Sequence, residues 1–138
     1  MNFDEYFLKL ADVVRQKSKD ESTKVGAVIV GPENQVVSTG YNGFPRGIDE
    51  EDLIRWSRPI KYSYTEHAER NAIYNAARHG IALRGCTLYI VGFNARSICA
   101  DCARAVIQSG IKRVIFAEFG KRHKNWEATF KLGAEMLQ

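Results

Sequence analysis

A chain of 138 residues that is 45% hydrophobic reads as one domain, residues 1–138, with room for a single good-sized core and none for a second. Its 20 basic and 16 acidic residues leave a net charge of +4, a mild excess that suits an anionic partner and is equally common without one. No apolar run reaches the roughly 18 residues a membrane span needs, and Met1 to Ala11 mixes acids and lysine into its apolar residues, which excludes a membrane segment and a signal peptide and points to the cytoplasm. Three cysteines are an odd number, unsuited to a disulfide framework and at home in a reducing compartment where thiols serve metals. Like-charge blocks, low-complexity tracts and internal repeats are all lacking.

Phe3, Tyr6, Phe7, Leu10, Val13 and Val14 follow the spacing of an amphipathic helix, which ends in the polar Lys17 to Ser22 segment. The apolar run Val25 to Val30 and the stretch Gln35 to Tyr41 flank a cluster of turn formers, Gly31-Pro32-Glu33-Asn34, and predict a hairpin. Asn42 to Tyr64 is irregular, punctuated by Gly43, Pro45, Gly47 and Pro59; so long a loop in a compact domain either has work to do or is disordered. Glu66 to His79 reads as an alanine-rich helix stopped by Gly80, its small residues allowing close approach to a sheet. Cys86 to Val91 is a predicted strand, with Cys86 itself a buried structural thiol. Ala100 to Ser109 is a predicted helix ended by Gly110, with Cys99, Cys102, Ala103, Val106 and Ile107 on one face. Lys112 to Ala117 is another strand, and Trp126, Phe130, Ala134 and Leu137 mark a last helix. The order α-β-β-α-β-α-β-α implies a mixed sheet with helices on its faces.

The chemistry concentrates in Thr65-Glu66-His67-Ala68-Glu69-Arg70-Asn71 and Ser97-Ile98-Cys99-Ala100-Asp101-Cys102-Ala103. A Cys-x-x-Cys pair opening a helix projects both thiols toward unpaired N–H groups and the positive end of the helix dipole, which favour the metal-binding thiolate. His67 at the head of the other helix supplies a third donor. One imidazole and two thiolates suit a catalytic zinc with an open fourth position, and Glu69 is the candidate proton carrier. A redox pair, or a structural zinc completed by Cys86, His79 or His123, would explain the cysteines alone. The four residues together favour the catalytic site.

These motifs resemble the cytidine/deoxycytidylate deaminase superfamily, in which zinc, H-x-E and C-x-x-C serve hydrolytic deamination of a base. Ser18-Lys19-Asp20, Val25-Gly26-Ala27-Val28-Ile29-Val30, Gly40-Tyr41-Asn42-Gly43-Phe44-Pro45-Arg46-Gly47, Lys61-Tyr62-x-Tyr64, His67-Ala68-Glu69-x-Asn71-Ala72-Ile73, Cys99-x-x-Cys102-Ala103 and Gln108-Ser109-Gly110-Ile111-Lys112 resemble its deoxycytidylate (dCMP) deaminase branch more closely. The resemblance runs from Ser18 to about Trp126. It implies a three-layer α-β-α fold with a mixed sheet of about five strands, and zinc-dependent conversion of dCMP to dUMP and ammonia, supplying dUMP for thymidylate synthesis. Carried over, His67, Cys99 and Cys102 bind zinc and Glu69 is the acid and base. Asn42 and the backbone N–H of Ala68 bind the substrate, and Ser22, Lys24, Arg46 and Arg96 are candidates for its phosphate. The branch further implies a homohexamer regulated by dCTP and dTTP with Mg2+, through Tyr41, Asn42, Gly43 and Arg46.

Two departures stand out. Ile98 occupies the place of the family's proline before the first cysteine, and the link from Val91 to Ile98 is longer than usual. That link borders the expected pocket, so a deaminase of dCTP, a modified cytosine or a purine nucleotide is the alternative. A zinc-stabilised nucleotide-binding protein without turnover is a further one, opposed by the intact Glu69. The chain has no basic run interleaved with aromatics, which argues against a nucleic-acid substrate.

Overall fold

Strand residues alternate sides, so a strand that is apolar at every position must be covered on both faces. The computed structural model describes residues 1–92, 98–117, 132–133 and 135–138. In it the two continuous apolar runs become β1, Gly26–Val30, and β3, Thr87–Val91, at the middle of a sheet ordered β2-β1-β3-β4, with β2 spanning Val36–Tyr41 and β4 Arg113–Ala117. β1 is antiparallel to both neighbours and β3 is parallel to β4, the mixed sheet expected; among the described residues it has four strands where the resemblance implied about five. The expected hairpin pairs Gly26 with Tyr41 and Ile29 with Ser38, with a bulge after Ile29.

Helix α1, Phe3–Arg15, covers one face, packing Phe7 and Ala11 against Val28, Val30, Tyr89 and Val91. Its buried stripe is narrower than the sequence suggests: Phe3, Tyr6 and Val13 are exposed, while Phe7, Leu10, Ala11 and Val14, spaced by three and four, turn inward. On the other face Ala27, Ile29, Leu88 and Ile90 meet α3, Ala68–Arg78, and α4, Ala100–Ser109. Three layers result, α-β-α. Cys86 is buried against this second face, and its desolvation raises the thiol pKa. Within the predicted last helix, residues 132–133 and 135–137 are helical and Leu137 packs on the core, whereas Trp126, Phe130 and Ala134 lie outside the described residues.

β2 and α3 meet at backbone distance. A Cβ on Gly40 would lie 2.4 Å from the Ala72 nitrogen and 2.5 Å from the Ala68 oxygen, between the two groups that close the first turn of α3. Absence of a side chain at Gly40 and small ones at Ala68, Ala72 and Ala76 therefore set how deeply α3 beds on the sheet. Ser38 adds a hydrogen bond from its Oγ to the Ala72 carbonyl, 2.6 Å.

The irregular stretch from Asn42 to Tyr64 contains a 3-10 turn, Leu53–Trp56, and a short helix α2, Lys61–Tyr64. It is built round aromatic contacts: Phe44 stacks on Trp56 at 4.2 Å and meets Tyr64 at 5.5 Å, and the Arg55 guanidinium sits over the Tyr64 ring at 5.1 Å. A buried ion pair ties it to the segment after α1, with Lys61 Nζ 2.9 Å from Asp20. Asp20 Oδ1 also accepts from the Ser22 N–H and hydroxyl and from the Thr23 N–H. Burial alone would raise the Asp20 carboxyl, but Lys61 and the Ser22 and Thr23 donors outweigh it and hold the pKa below the ordinary carboxylate value.

Two outcomes follow from these contacts. Gly40→Val should cost about 1–3 kcal/mol or more by overpacking, read as a lower denaturant midpoint, because backbone and not a flexible side chain opposes the new group. Asp20→Asn should cost about 3–5 kcal/mol at neutral pH by leaving Lys61 buried and unpaired. Because the folded Asp20 pKa is depressed, its stabilisation is complete above the unfolded value near 3.9 and lost as pH falls through the folded one, so the variant should show a shallower loss of stability below about pH 4 in acid titrations of unfolding.

Candidate active site

Both segments that carry the candidate metal donors are helix starts. His67 is the N-cap residue of α3 and Cys99 that of α4, where the Cys99 sulfur accepts the Cys102 N–H at 3.4 Å, the task an oxygen usually performs. The position of His67 is fixed by what precedes it. Gly43 and Glu66 exchange backbone hydrogen bonds of 3.1 and 2.8 Å, joining the end of the β2 strand's extension to the residue before the histidine. Glu66 Oε1 then accepts the His67 N–H at 3.0 Å and Arg70 Nε at 2.5 Å, while Asn71 Nδ2 donates to the Tyr41 carbonyl at 2.8 Å.

The two helix starts bring three donors together. His67 Nδ1 lies 3.3 Å from Cys99 Sγ and 3.4 Å from Cys102 Sγ, and all three ligand atoms fall within 4.8 Å of one another. Tetrahedral zinc, with Zn–N near 2.0 Å and Zn–S near 2.3 Å, spaces such nitrogen and sulfur ligands by roughly 3.5 Å, so the set fits that ion. Among the described residues this is the one group of three or more His, Cys, Asp or Glu side chains so placed, and neither Cys86 nor His79 joins it; His123 lies outside the described residues.

Their electrostatics belong to a site built for a cation. The hydrogen bond from Cys102, aided by His67 and opposed by burial, lowers the Cys99 thiol to about 4, while the same contact and burial raise Cys102, so one proton is retained between two sulfurs. Burial disfavours the His67 imidazolium, but its contact with Cys99 and the charge of Glu69 raise its pKa above the ordinary value. A dication seated among the three would displace these protons. Glu69, 3% exposed, has its carboxyl pKa raised chiefly by desolvation, which suits a group that must hold a proton and release it.

The remaining sequence candidates are distributed unevenly. Ala68 is the first residue of α3, and its N–H is one of the four a helix leaves unused by its own ladder. Asn42, 6% exposed, accepts the Val25 N–H at 2.8 Å through Oδ1 and donates from Nδ2 to the Thr23 carbonyl at 2.8 Å. Ser22 joins the same corner, its Oγ donating to Asp20 and accepting from Lys61 at 2.7 Å, and Lys24 Nζ donates to the Ser18 carbonyl. Arg46 stands apart on the exposed side of α3, donating to Asn75 Oδ1 at 2.7 Å, and Tyr41 is exposed. Arg96 lies outside the described residues. Ile98 is fully buried, and Ile107, expected on the apolar face of α4, is 45% exposed.

Sequence reasoning missed Asp20 and Lys61 as a buried pair and Glu66 and Arg70 as the framework of His67. Glu66 and Arg70 do carry the four-residue spacing of a helical ion pair, a signal open to reading. Asp20 and Lys61 are 41 residues apart and carry none.

Comparison with known proteins agrees with this geometry. Residues 1–118 match the cytidine and deoxycytidylate deaminase zinc-binding region. The chain is 42% identical over 135 residues to the deoxycytidylate deaminase of Mus musculus, covering 94% of this chain and 71% of the mouse protein. It is 32% identical over 160 residues to the deoxycytidylate deaminase of enterobacteria phage T4, covering 87% of this chain and 80% of the phage protein. Among solved structures, the dCMP deaminase of cyanophage S-TIM5 in complex with dCMP and dUMP superposes with a TM-score of 0.73 at 26% identity, covering 100% of this chain and 93% of that one. The chain belongs to the cytidine and deoxycytidylate deaminase family, in its deoxycytidylate deaminase branch.

Proposed function

We propose that this protein is a zinc-dependent deoxycytidylate deaminase, hydrolysing dCMP to dUMP and ammonia. The observation that carries the reading is the convergence of His67 Nδ1, Cys99 Sγ and Cys102 Sγ beside a buried Glu69, in a chain 42% identical to a deoxycytidylate deaminase. His67, Cys99 and Cys102 would hold the zinc. When bound, zinc lowers the pKa of water to about 7 and so makes a nucleophile available at neutral pH.

Glu69 takes one proton from the attacking water and gives it to the ring nitrogen, where it stays, and then carries the proton of the new C4 hydroxyl to the departing amine. The water oxygen bonds to C4 of the pyrimidine, the C4–N bond breaks, and nitrogen leaves as ammonia. Desolvation of Glu69 favours this shuttle, since a carboxylate out of water gains more by accepting a proton. The Ala68 N–H, at the positive end of α3, is suited to the pyrimidine carbonyl. Asn42 keeps one lone pair of its amide oxygen for a substrate hydroxyl after serving Val25. Ser22, Lys24 and Arg96 are the cationic or hydroxyl groups assigned to the phosphate. Regulation by dCTP and dTTP with Mg2+ through Tyr41, Asn42, Gly43 and Arg46, a homohexameric assembly and a place in the cytoplasm belong to the same reading, by resemblance to the branch.

Ammonia release should be measured on dCMP, dCTP, cytidine and a purine monophosphate. Turnover of dCMP above the others is expected, and turnover of another nucleotide with none of dCMP would contradict the assignment. Glu69→Gln should lower kcat by roughly 10²- to 10⁴-fold while retaining zinc, and Cys102→Ser should lose zinc on dialysis, read by metal analysis. Unchanged turnover in Glu69→Gln would remove Glu69 from the proton transfer.

A further inference from the structure

The geometry points to Arg70 as a positioning residue of the metal site, a clamp that joins the two helix starts from outside the ligand set. This rests on the reading of His67, Cys99 and Cys102 as zinc ligands. Arg70 Nε is 2.5 Å from Glu66 Oε1 and Arg70 Nη1 is 3.5 Å from Asp101 Oδ2. Glu66 Oε1 is the atom that also accepts the His67 N–H, at 3.0 Å. Asp101 lies between Cys99 and Cys102 in the first turn of α4. A single guanidinium therefore connects the backbone of the histidine ligand to the turn that carries both thiols.

Helix stability does not account for a cation at this place. Arg70 sits in the first turns of α3, where the helix dipole favours anions, so the position costs α3 some stability taken alone. Burial also works against the charge, and the neighbouring sulfurs together with Glu66 outweigh that burial and raise the Arg70 pKa. The Arg70 side chain is 20% exposed, its Glu66 partner 24% and Asp101 57%, so the Glu66 end of the clamp is the shielded one. Asp101 has a second partner in Arg104 on its own helix, which holds the carboxylate in place without reaching α3. A planar fork can grip two carboxylates in fixed directions, which an ammonium cannot. In the metal-bound protein the same cation offsets the negative charge of two thiolates packed together.

Arg70→Gln, Arg70→Lys and Asp101→Asn separate this role from general support of the fold. Zinc affinity would be measured by chelator competition, the absorption bands of the Co2+-loaded protein recorded, and the melting temperature of the metal-free protein taken alongside. Arg70→Gln should weaken zinc binding about 10- to 100-fold and shift the Co2+ bands, with the metal-free melting temperature little changed. Arg70→Lys should recover only part of the affinity. Asp101→Asn should act in the same direction, and the double variant Arg70→Gln/Asp101→Asn should be no weaker than Arg70→Gln alone, since the two residues act through one contact. Wild-type zinc affinity and Co2+ bands in Arg70→Gln, or a metal-free melting loss large enough to explain the weaker binding, would overturn the clamp. Should Arg70→Gln fail to fold, Asp101→Asn decides: unchanged affinity there overturns it as well. Failure of the wild-type protein to bind zinc would instead overturn the reading of the site itself.

Discussion

Two helices begin at the same point, and what the protein can do depends on that meeting. A helix start exposes N–H groups and the positive end of a dipole, the environment in which a thiol gives up its proton. His67 and Cys99 occupy the N-cap positions of α3 and α4, so the metal donors are attached to the two rigid elements at the points where backbone groups are unspent. The His67 nitrogen stands 3.3 and 3.4 Å from the two sulfurs. The arrangement is one that a dication completes.

The fold supplies the restraint that this meeting needs. Gly40 lets α3 bed against β2 at backbone distance, which fixes the height of Ala68 and hence of His67 and Glu69 above the sheet. The Gly43–Glu66 pairing fixes the approach to the helix. On the other side, β3 and β4 hold the ends of the crossover that contains α4, so the cysteines are referred to the same sheet. The 42–64 segment contributes Asn42 and Lys61 to the polar corner they form with Asp20 and Ser22, and carries the stacked Phe44 and Trp56.

Much of this was legible in the residues because it is local. The two apolar runs announced buried strands, the alanines announced a helix lying close to them, and H-x-E with C-x-x-C announced the donors. Boundaries moved by a residue or two: α3 runs Ala68–Arg78 where Glu66 to His79 was expected, because Glu66 is consumed in pairing with Gly43 and His67 serves as the cap. The long loop proved to contain a 3-10 turn and a short helix, since their four-residue lengths carry no periodicity to read. The pairing of Asp20 with Lys61 and of Arg70 with Asp101 could not be read, because such contacts are decided by how distant segments pack and leave no mark on spacing.

The chemistry then follows from composition of the site more than from its shape: two sulfurs, one imidazole and a carboxyl raised by burial suit water activation and proton transfer at an amino-substituted ring. X-ray absorption at the zinc edge of the purified protein tests that composition most directly. One zinc per chain is expected, with two sulfur ligands, one imidazole nitrogen and a fourth, light-atom ligand that exchanges with substrate analogues. A fourth ligand from the protein, whether a third sulfur or a second imidazole, would contradict it, because a zinc so enclosed has no position at which to activate water.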